Sequence, residues 1–193
     1  MRTLTTALVA PILAVLIGAS TPALSQNAVA FDLNHTTTNF SAKHLLISTV
    51  QGNIPVKSAT FTLGENNIPA SVEAVMDMTK IDSRNDRRDE DLRSERFLNV
   101  AQFPEMTFKS TKITRQSGNN FTMDGSLTIR GVTKPVVVNG LFEGSIKDSK
   151  GRTHIGYSAS TTIDRRDFNV GTTIPAAIVG YDISITIEAE AIQ

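Results

Sequence analysis

Side chains capable of acid–base or metal chemistry are few and scattered in this sequence. It has three histidines, His35, His44 and His154, and no cysteine. No HxH, HxxxH or histidine-plus-carboxylate spacing points to a metal, and the absence of thiols excludes thiol chemistry and argues against structural zinc. The sequence therefore predicts no metal site.

The motifs of common enzyme classes are also missing. We find no nucleophile elbow, no pair of carboxylates flanked by aromatic platforms and no glycine loop that would cradle a phosphate. The 19 basic and 19 acidic residues balance, and no basic stripe stands out, so nucleic acid is not expected as a partner. We predict no catalytic residues, no cofactor and no enzymatic activity.

One segment concentrates charge. Residues 82–104, DSRNDRRDEDLRSERFLNVAQFP, have helical spacing, with Asp89 and Arg93 four apart, and Ser83, Asn85 or Asp86 suited to cap the start. The sequence predicts one short helix near residues 87–96. Such a charge run is usually a solvated helix face, and a docking surface is the alternative.

Two pairs of charged residues suggest a structural role. Arg88 and Asp89 begin the charged segment, and Arg165 and Asp167 lie in RRDFNVG near the end. We predict that these four form a buried ion network that closes one end of the fold. A structural role is preferred here to a catalytic one.

Most of the remaining chain alternates between apolar and other residues, which is typical of half-buried strands. In SVEAVMDMTKI (71–81), the apolar side has Val72, Ala74, Met76 and Met78. Similar runs, separated by turn signals such as Ser117-Gly118-Asn119-Asn120, give about eight antiparallel strands. The fold class is therefore all-β.

About eight such strands form either a closed barrel or two sheets packed face to face. An eight-stranded barrel is just wide enough to fill itself or to hold one slender ligand. Several small residues on the apolar faces weakly favour the hollow version: Ala42, Ala59, Ala74, Gly125, Gly140 and Ala159.

The first 25 residues have the features of a secretory signal peptide. Arg2 precedes the apolar run ALVAPILAVLIGA, and small residues follow at Ala23 and Ser25. A second Ala-x-Ala at 28–30 places the mature N-terminus between Gln26 and Phe31. We predict a signal peptide over 1–25 and a single exported domain over 26–193.

Several stretches together resemble the YceI-like family. They are RRDEDLRSERFLNVAQFPEMTFKST, LTIRGVTKPV, HLLISTVQG and RRDFNVG, and the resemblance covers residues 30 to 191. Two positions depart from the family pattern: Asn169 stands where Gly is common, and Leu98 stands where a second aromatic is common. These departures affect a turn and a packing position.

The resemblance implies a periplasmic, lipocalin-like antiparallel barrel that carries a long amphiphilic lipid, polyisoprenoid or isoprenoid-quinone-like, in a central cavity. We then expect the inward faces to bind this lipid, through Phe40, His44, Val72, Met76, Met106, Phe108, Met123, Leu127, Ile129, Val138, Phe142, Tyr157 and Ile185. His44 either meets the lipid head group or supports the end of its strand.

The sequence leaves two alternatives open. One is whether the chain forms a homodimer or meets a membrane donor or acceptor protein. The other is the alternative function, in which a filled barrel or sandwich serves as a non-enzymatic stress or interaction module.

Overall fold

The computed structural model describes residues 28–193, so the signal peptide predicted over 1–25 lies outside the described residues. Nine strands and one α-helix make up this range. The strands are β1 (Ala28–His44), β2 (Ser48–Asn53), β3 (Val56–Leu63), β4 (Pro69–Asp77), β5 (Glu105–Arg115), β6 (Asn120–Ile129), β7 (Val132–Lys147), β8 (Thr153–Asp164) and β9 (Val179–Ile192), and the helix is α1 (Asp86–Arg93). Short 3-10 helices cover Glu65–Asn67, Met78–Lys80 and Arg165–Phe168.

All strands belong to one antiparallel sheet that closes on itself where β1 pairs with β9. On its other edge, β1 pairs with β2 at one end and with β3 at the other. β2 and β3 thus act as one strand interrupted at residues 54–55, which is why nine strands form a barrel of about eight. The predicted all-β, lipocalin-like barrel is confirmed, and the two-sheet alternative is wrong.

The helix predicted near residues 87–96 is α1, between β4 and β5. Asn85 caps its start, because the Asn85 side chain accepts a hydrogen bond from the Arg88 amide at 3.0 Å. The helix ends three residues earlier than residue 96, at Arg93. Ser94 causes the early end, since both its amide and its hydroxyl donate to the carbonyl of Asp91.

A tight β6–β7 hairpin organises the same end of the barrel. Its turn residues, Arg130 and Gly131, have φ angles of 50° and 71°, as a two-residue hairpin turn of type I′ requires. The Arg130 guanidinium donates to the carbonyls of Glu95, at 2.8 Å, and Asn169. The hairpin therefore ties down both the segment after α1 and the turn after β8. Asn169 has a φ of 57°, which explains why Gly suits this position.

Two groups of buried apolar side chains divide the barrel interior. One group lies at the α1 end and includes Met106, Ile129 and Phe168. The other lies toward the opposite end and includes Phe61 and Tyr157. Within residues 28–193, none of the helices has the length and apolar character needed to cross a bilayer.

Candidate functional site

A cavity of about 790 Å³ lies at the α1 end of the barrel, and we call it the outer cavity. Its deep wall is apolar and includes Met106, Ile129 and Ile185. Exposed charged side chains such as Lys43 and Arg87 also line it, so it opens to the surface. Its volume lies in the range of small-molecule binding sites.

Three segments border the opening of the outer cavity. The first is the β1–β2 hairpin, the second is α1, and the third is the loop 170–178 before β9. The charged residues around it are Lys43, Arg87, Arg88, Glu90, Asp91 and Arg96. Basic side chains therefore outnumber acidic ones at the rim.

A second cavity of about 120 Å³, the inner cavity, lies deeper in the barrel. Met106 and Ile185 line both cavities, so these two side chains lie between them. Ala59, Ala74 and Ala159 lie on the inner wall, as the small residues of the sequence suggested.

The two glycines of that small-residue set do not leave empty space. A Cβ atom on Gly125 would lie 2.4 Å from the Phe108 ring, and one on Gly140 would lie 2.3 Å from the Phe121 ring. The interpretation of these glycines as sources of room along the barrel axis is therefore wrong. They let the Phe108 and Phe121 rings pack directly against the glycine backbone, and both rings become part of the inner wall.

An aromatic cluster, the plug, borders the inner cavity on the side away from α1. Its members are Phe31, Phe61, Phe121, Phe142 and Tyr157. The Tyr157 hydroxyl donates to the carbonyl of Asn67 at 2.7 Å, and burial raises the pKa of Tyr157 well above its ordinary value. The phenol therefore stays neutral, and the tight packing of these rings gives the apolar path an inner end.

The predicted lining residues, Phe142 excepted, lie on the wall of one cavity or both. The outer wall contains Phe40, His44, Met106, Ile129 and Ile185. The inner wall contains Val72, Met76, Met106, Phe108, Met123, Leu127, Val138, Tyr157 and Ile185. That these residues contact a lipid stays a prediction.

Phe142 lies off both walls, within the plug, with its ring centroid 5.9 Å from that of Tyr157. A shift of register between Phe142 and Gly144 alters β7 at this point. His44 lies half-buried at the end of β1, on the outer wall. This position suits either of the two roles proposed for it.

The predicted ion network of Arg88, Asp89, Arg165 and Asp167 does not form. Among residues 28–193 no ion pair joins any two of these four side chains. Asp167 is exposed, whereas Asp89 and Arg165 are buried. Neutral partners replace the expected ionic ones, and they form two separate anchors.

The first anchor centres on Ser83. Asp89 accepts from the Ser83 amide at 2.9 Å and from its hydroxyl at 2.5 Å. Arg88 donates to the Ser83 hydroxyl at 2.7 Å and to its carbonyl at 2.6 Å. Ser83 thus fixes the start of α1 at the rim of the outer cavity.

The second anchor is Arg165, whose side chain is only 3% exposed. It donates to five backbone carbonyls, those of Val170, Gly171, Ile174, Val179 and Gly180. Arg165 therefore holds the loop that supplies one wall of the outer cavity. The sequence did not predict this wall, because the loop has no periodic pattern. The RRDFNVG stretch was the one sequence feature that pointed to the loop.

Ionisable side chains also gather at the opposite end of the barrel. His154 lies 2.5 Å from Glu190 and 3.2 Å from Asp148, and His35 lies 3.0 Å from Asp32. Ligand atoms of Asp32, His35 and Glu190 all fall within 4.8 Å of one another. Sequence spacing did not reveal this group, because β1, β8 and β9 each contribute to it.

Hydrogen bonds shift the pKa values within this group. The bond to Glu190, followed by the one to Asp148, raises the pKa of His154 above its ordinary value. Burial tends to raise the pKa of Asp148, but hydrogen bonds from Arg152 and His154 outweigh burial and hold that pKa well below its ordinary value. The group is therefore paired within itself, and its hydrogen bonds favour the protonated form of His154.

Comparison with known proteins gives consistent matches. The YceI-like domain matches residues 30–191. Protein YceI of Salmonella newport is 34% identical over 160 residues, which is 82% of each chain.

Solved structures share the barrel. The YCEI protein of Campylobacter jejuni has a TM-score of 0.70 and 29% identity, over 78% of this chain and 89% of its own. A polyisoprenoid binding domain from Saccharophagus degradans has a TM-score of 0.61 and 12% identity, over 84% of this chain and 97% of its own. At that identity the likeness establishes a shared fold.

Proposed function

Because the chain belongs to the YceI-like family, we propose that it binds a long isoprenoid lipid inside the barrel and acts as a periplasmic carrier or store for it. The observation that carries the proposal is the succession of two cavities, outer and then inner, which share Met106 and Ile185 and which we interpret as one apolar path from the opening to the plug. The opening lies at one end of this path and the plug at the other. A long apolar chain with one polar end fits such a site.

The energetics suit a prenyl tail. Each buried methylene contributes roughly 0.8 kcal/mol, while micromolar binding requires about 8 kcal/mol. Even after a large deduction for lost ligand freedom, a tail of several prenyl units exceeds that requirement. Interior cavities of this size also argue against the alternative of a filled barrel that serves only as an interaction module.

The ligand class draws support from the structural neighbour described as a polyisoprenoid binding domain. The periplasmic location draws support from the signal peptide predicted over residues 1–25 and from the family. The proposed role is binding and transport without catalysis.

The arrangement of the site supports one orientation of the lipid. The tail runs inward toward the plug, and the polar head stays near His44 and the charged rim. The head group is a phenol, a quinone or a similar group that a neutral imidazole can meet with a hydrogen bond.

A series of prenyl alcohols of increasing length tests this function. Affinity should rise with each added prenyl unit while the tail extends through the inner cavity, and it should stop rising once the tail reaches the plug. Isothermal titration of the mature protein measures the trend. Absence of binding, or affinity independent of chain length, would contradict the proposal.

A further inference from the structure

Three large apolar side chains project from the β1–β2 hairpin, and we call Leu45, Leu46 and Ile47 the tip. They are 50%, 67% and 86% exposed. Three consecutive exposed apolar residues on a turn are a defect in a soluble domain unless they serve a function. Packing within residues 28–193 does not account for them.

The backbone of the turn does not account for them either. Leu45 and Leu46 have φ angles of 51° and 63°, in the left-handed region. A residue with a bulky side chain costs roughly 1–2 kcal/mol in that conformation, whereas Gly and Asn adopt it readily. The turn therefore keeps leucines where its own geometry favours small or polar residues.

The tip lies beside the opening of the outer cavity. His44 and Val50, on either side of the tip, both line that cavity. The Leu45 amide donates to the carbonyl of Ile178 at 3.0 Å. Ile178 also lines the cavity and is 46% exposed, so it extends the apolar surface of the tip.

The chemistry of this surface fits a lipid bilayer. A stable protein interface buries about 800 Å² on each partner, which is more than three side chains on a turn provide. Insertion into a bilayer needs no complementary surface, only apolar side chains with basic residues nearby. Among the residues that line the opening, Arg96 pairs with Asp91 at 3.8 Å, which leaves Lys43, Arg87 and Arg88 against Glu90.

We propose that the tip inserts into an anionic bilayer and so places the opening of the outer cavity at the membrane surface. This inference rests on the proposed function. With the opening at the membrane surface, a lipid passes between the bilayer and the barrel without exposing its tail to water. The tip supplies apolar contact, and the basic rim faces the anionic head groups.

Vesicle flotation of the mature protein tests the proposal, with vesicles of phosphatidylcholine mixed with phosphatidylglycerol. The test variants are Leu46→Asn and Ile47→Asp, and each should lower the partition coefficient at least about tenfold, because one buried apolar side chain contributes that much or more. The control is Ile146→Asp, which changes a side chain that is 72% exposed at the opposite end of the barrel, and it should bind like the wild type.

Leu46→Asn also separates docking from folding damage. Asn tolerates the left-handed conformation, so this variant should melt at the same or a higher temperature while vesicle binding falls. Wild-type protein that stays off the vesicles, or tip variants that bind as well as the wild type, would overturn the proposal. Self-association lost in the tip variants, without vesicle binding, would instead assign the tip to a second copy of the chain and overturn it too.

The same proteins distinguish this proposal from the function it rests on. Affinity for a soluble prenyl alcohol should be unchanged in both tip variants, because neither Leu46 nor Ile47 lines the outer or the inner cavity. Prenyl binding without vesicle binding would reject membrane insertion of the tip and leave the carrier function in place. Vesicle binding that depends on the tip, without prenyl binding, would support membrane insertion of the tip and reject the carrier function.

Discussion

Replacing Ala159 with Trp should close the inner end of the ligand path. Ala159 lines the inner cavity, whose volume is about 120 Å³. That space holds roughly four groups of about 30 Å³, the share of one water in the liquid. At about 0.8 kcal/mol per buried methylene, filling it removes about 3 kcal/mol of tail burial. We therefore expect affinity for a long prenyl ligand to fall roughly a hundredfold.

Fluorescence titration with a prenyl probe measures this loss, and far-UV circular dichroism checks the fold. The matched control is Ser160→Trp, one residue further along β8, where the exposed side chain points to the opposite face of the sheet. It adds the same indole and should leave affinity unchanged. A folded Ala159→Trp variant that binds like the wild type would refute the idea that the inner cavity receives the tail.

Three further predictions test other parts of the structure, the first of them with a matched control variant. Arg165→Met should lower the free energy of unfolding by at least about 3 kcal/mol, because several buried carbonyls lose their donor at about 1–3 kcal/mol each. The control, Arg166→Met, removes an exposed pair with Asp164 and a contact with the Tyr181 ring, each worth about 1 kcal/mol or less, so its loss in the same denaturant melts should stay below that of Arg165→Met. The pKa of His154 is raised in the folded state, so its contacts stabilise the fold fully below pH 6.5 and lose that contribution as the pH rises through the raised pKa. The free energy of unfolding should therefore fall above pH 6.5 in the wild type. This fall should be smaller in His154→Gln, as denaturant melts at a series of pH values would measure. His44→Phe should weaken binding of a lipid with a polar head group by about 0.5–1.5 kcal/mol in titrations, because one hydrogen bond is lost. Affinity for a bare prenyl hydrocarbon should not change. Equal losses for both ligands would show that His44 only supports its strand.

The strands were the most predictable part of the molecule. β4, β6 and β8 alternate cleanly between apolar and other residues, and a half-buried strand allows no other pattern. Closure of the sheet could not be derived in the same way, because periodicity describes one strand and not its distant partners. The resemblance to the YceI-like family supplied the barrel.

The candidate site was predictable only where it lies on strands. Alternation placed Met76 and Leu127 inward, whereas the loop 170–178 contributes a cavity wall without any repeating pattern. The expected ion network was wrong for a related reason. Opposite charges in a sequence suggest pairing, but Arg165 meets backbone carbonyls, whose positions depend on the folded loop.

Extraction of bound lipid tests the carrier function most directly. Protein expressed from the full sequence and purified under native conditions is extracted with organic solvent, and the extract is analysed by mass spectrometry. The account predicts a long-chain isoprenoid lipid that copurifies with the wild type and is depleted in Ala159→Trp but not in Ser160→Trp. An extract without any isoprenoid, or one whose isoprenoid content is the same in both variants, would contradict it.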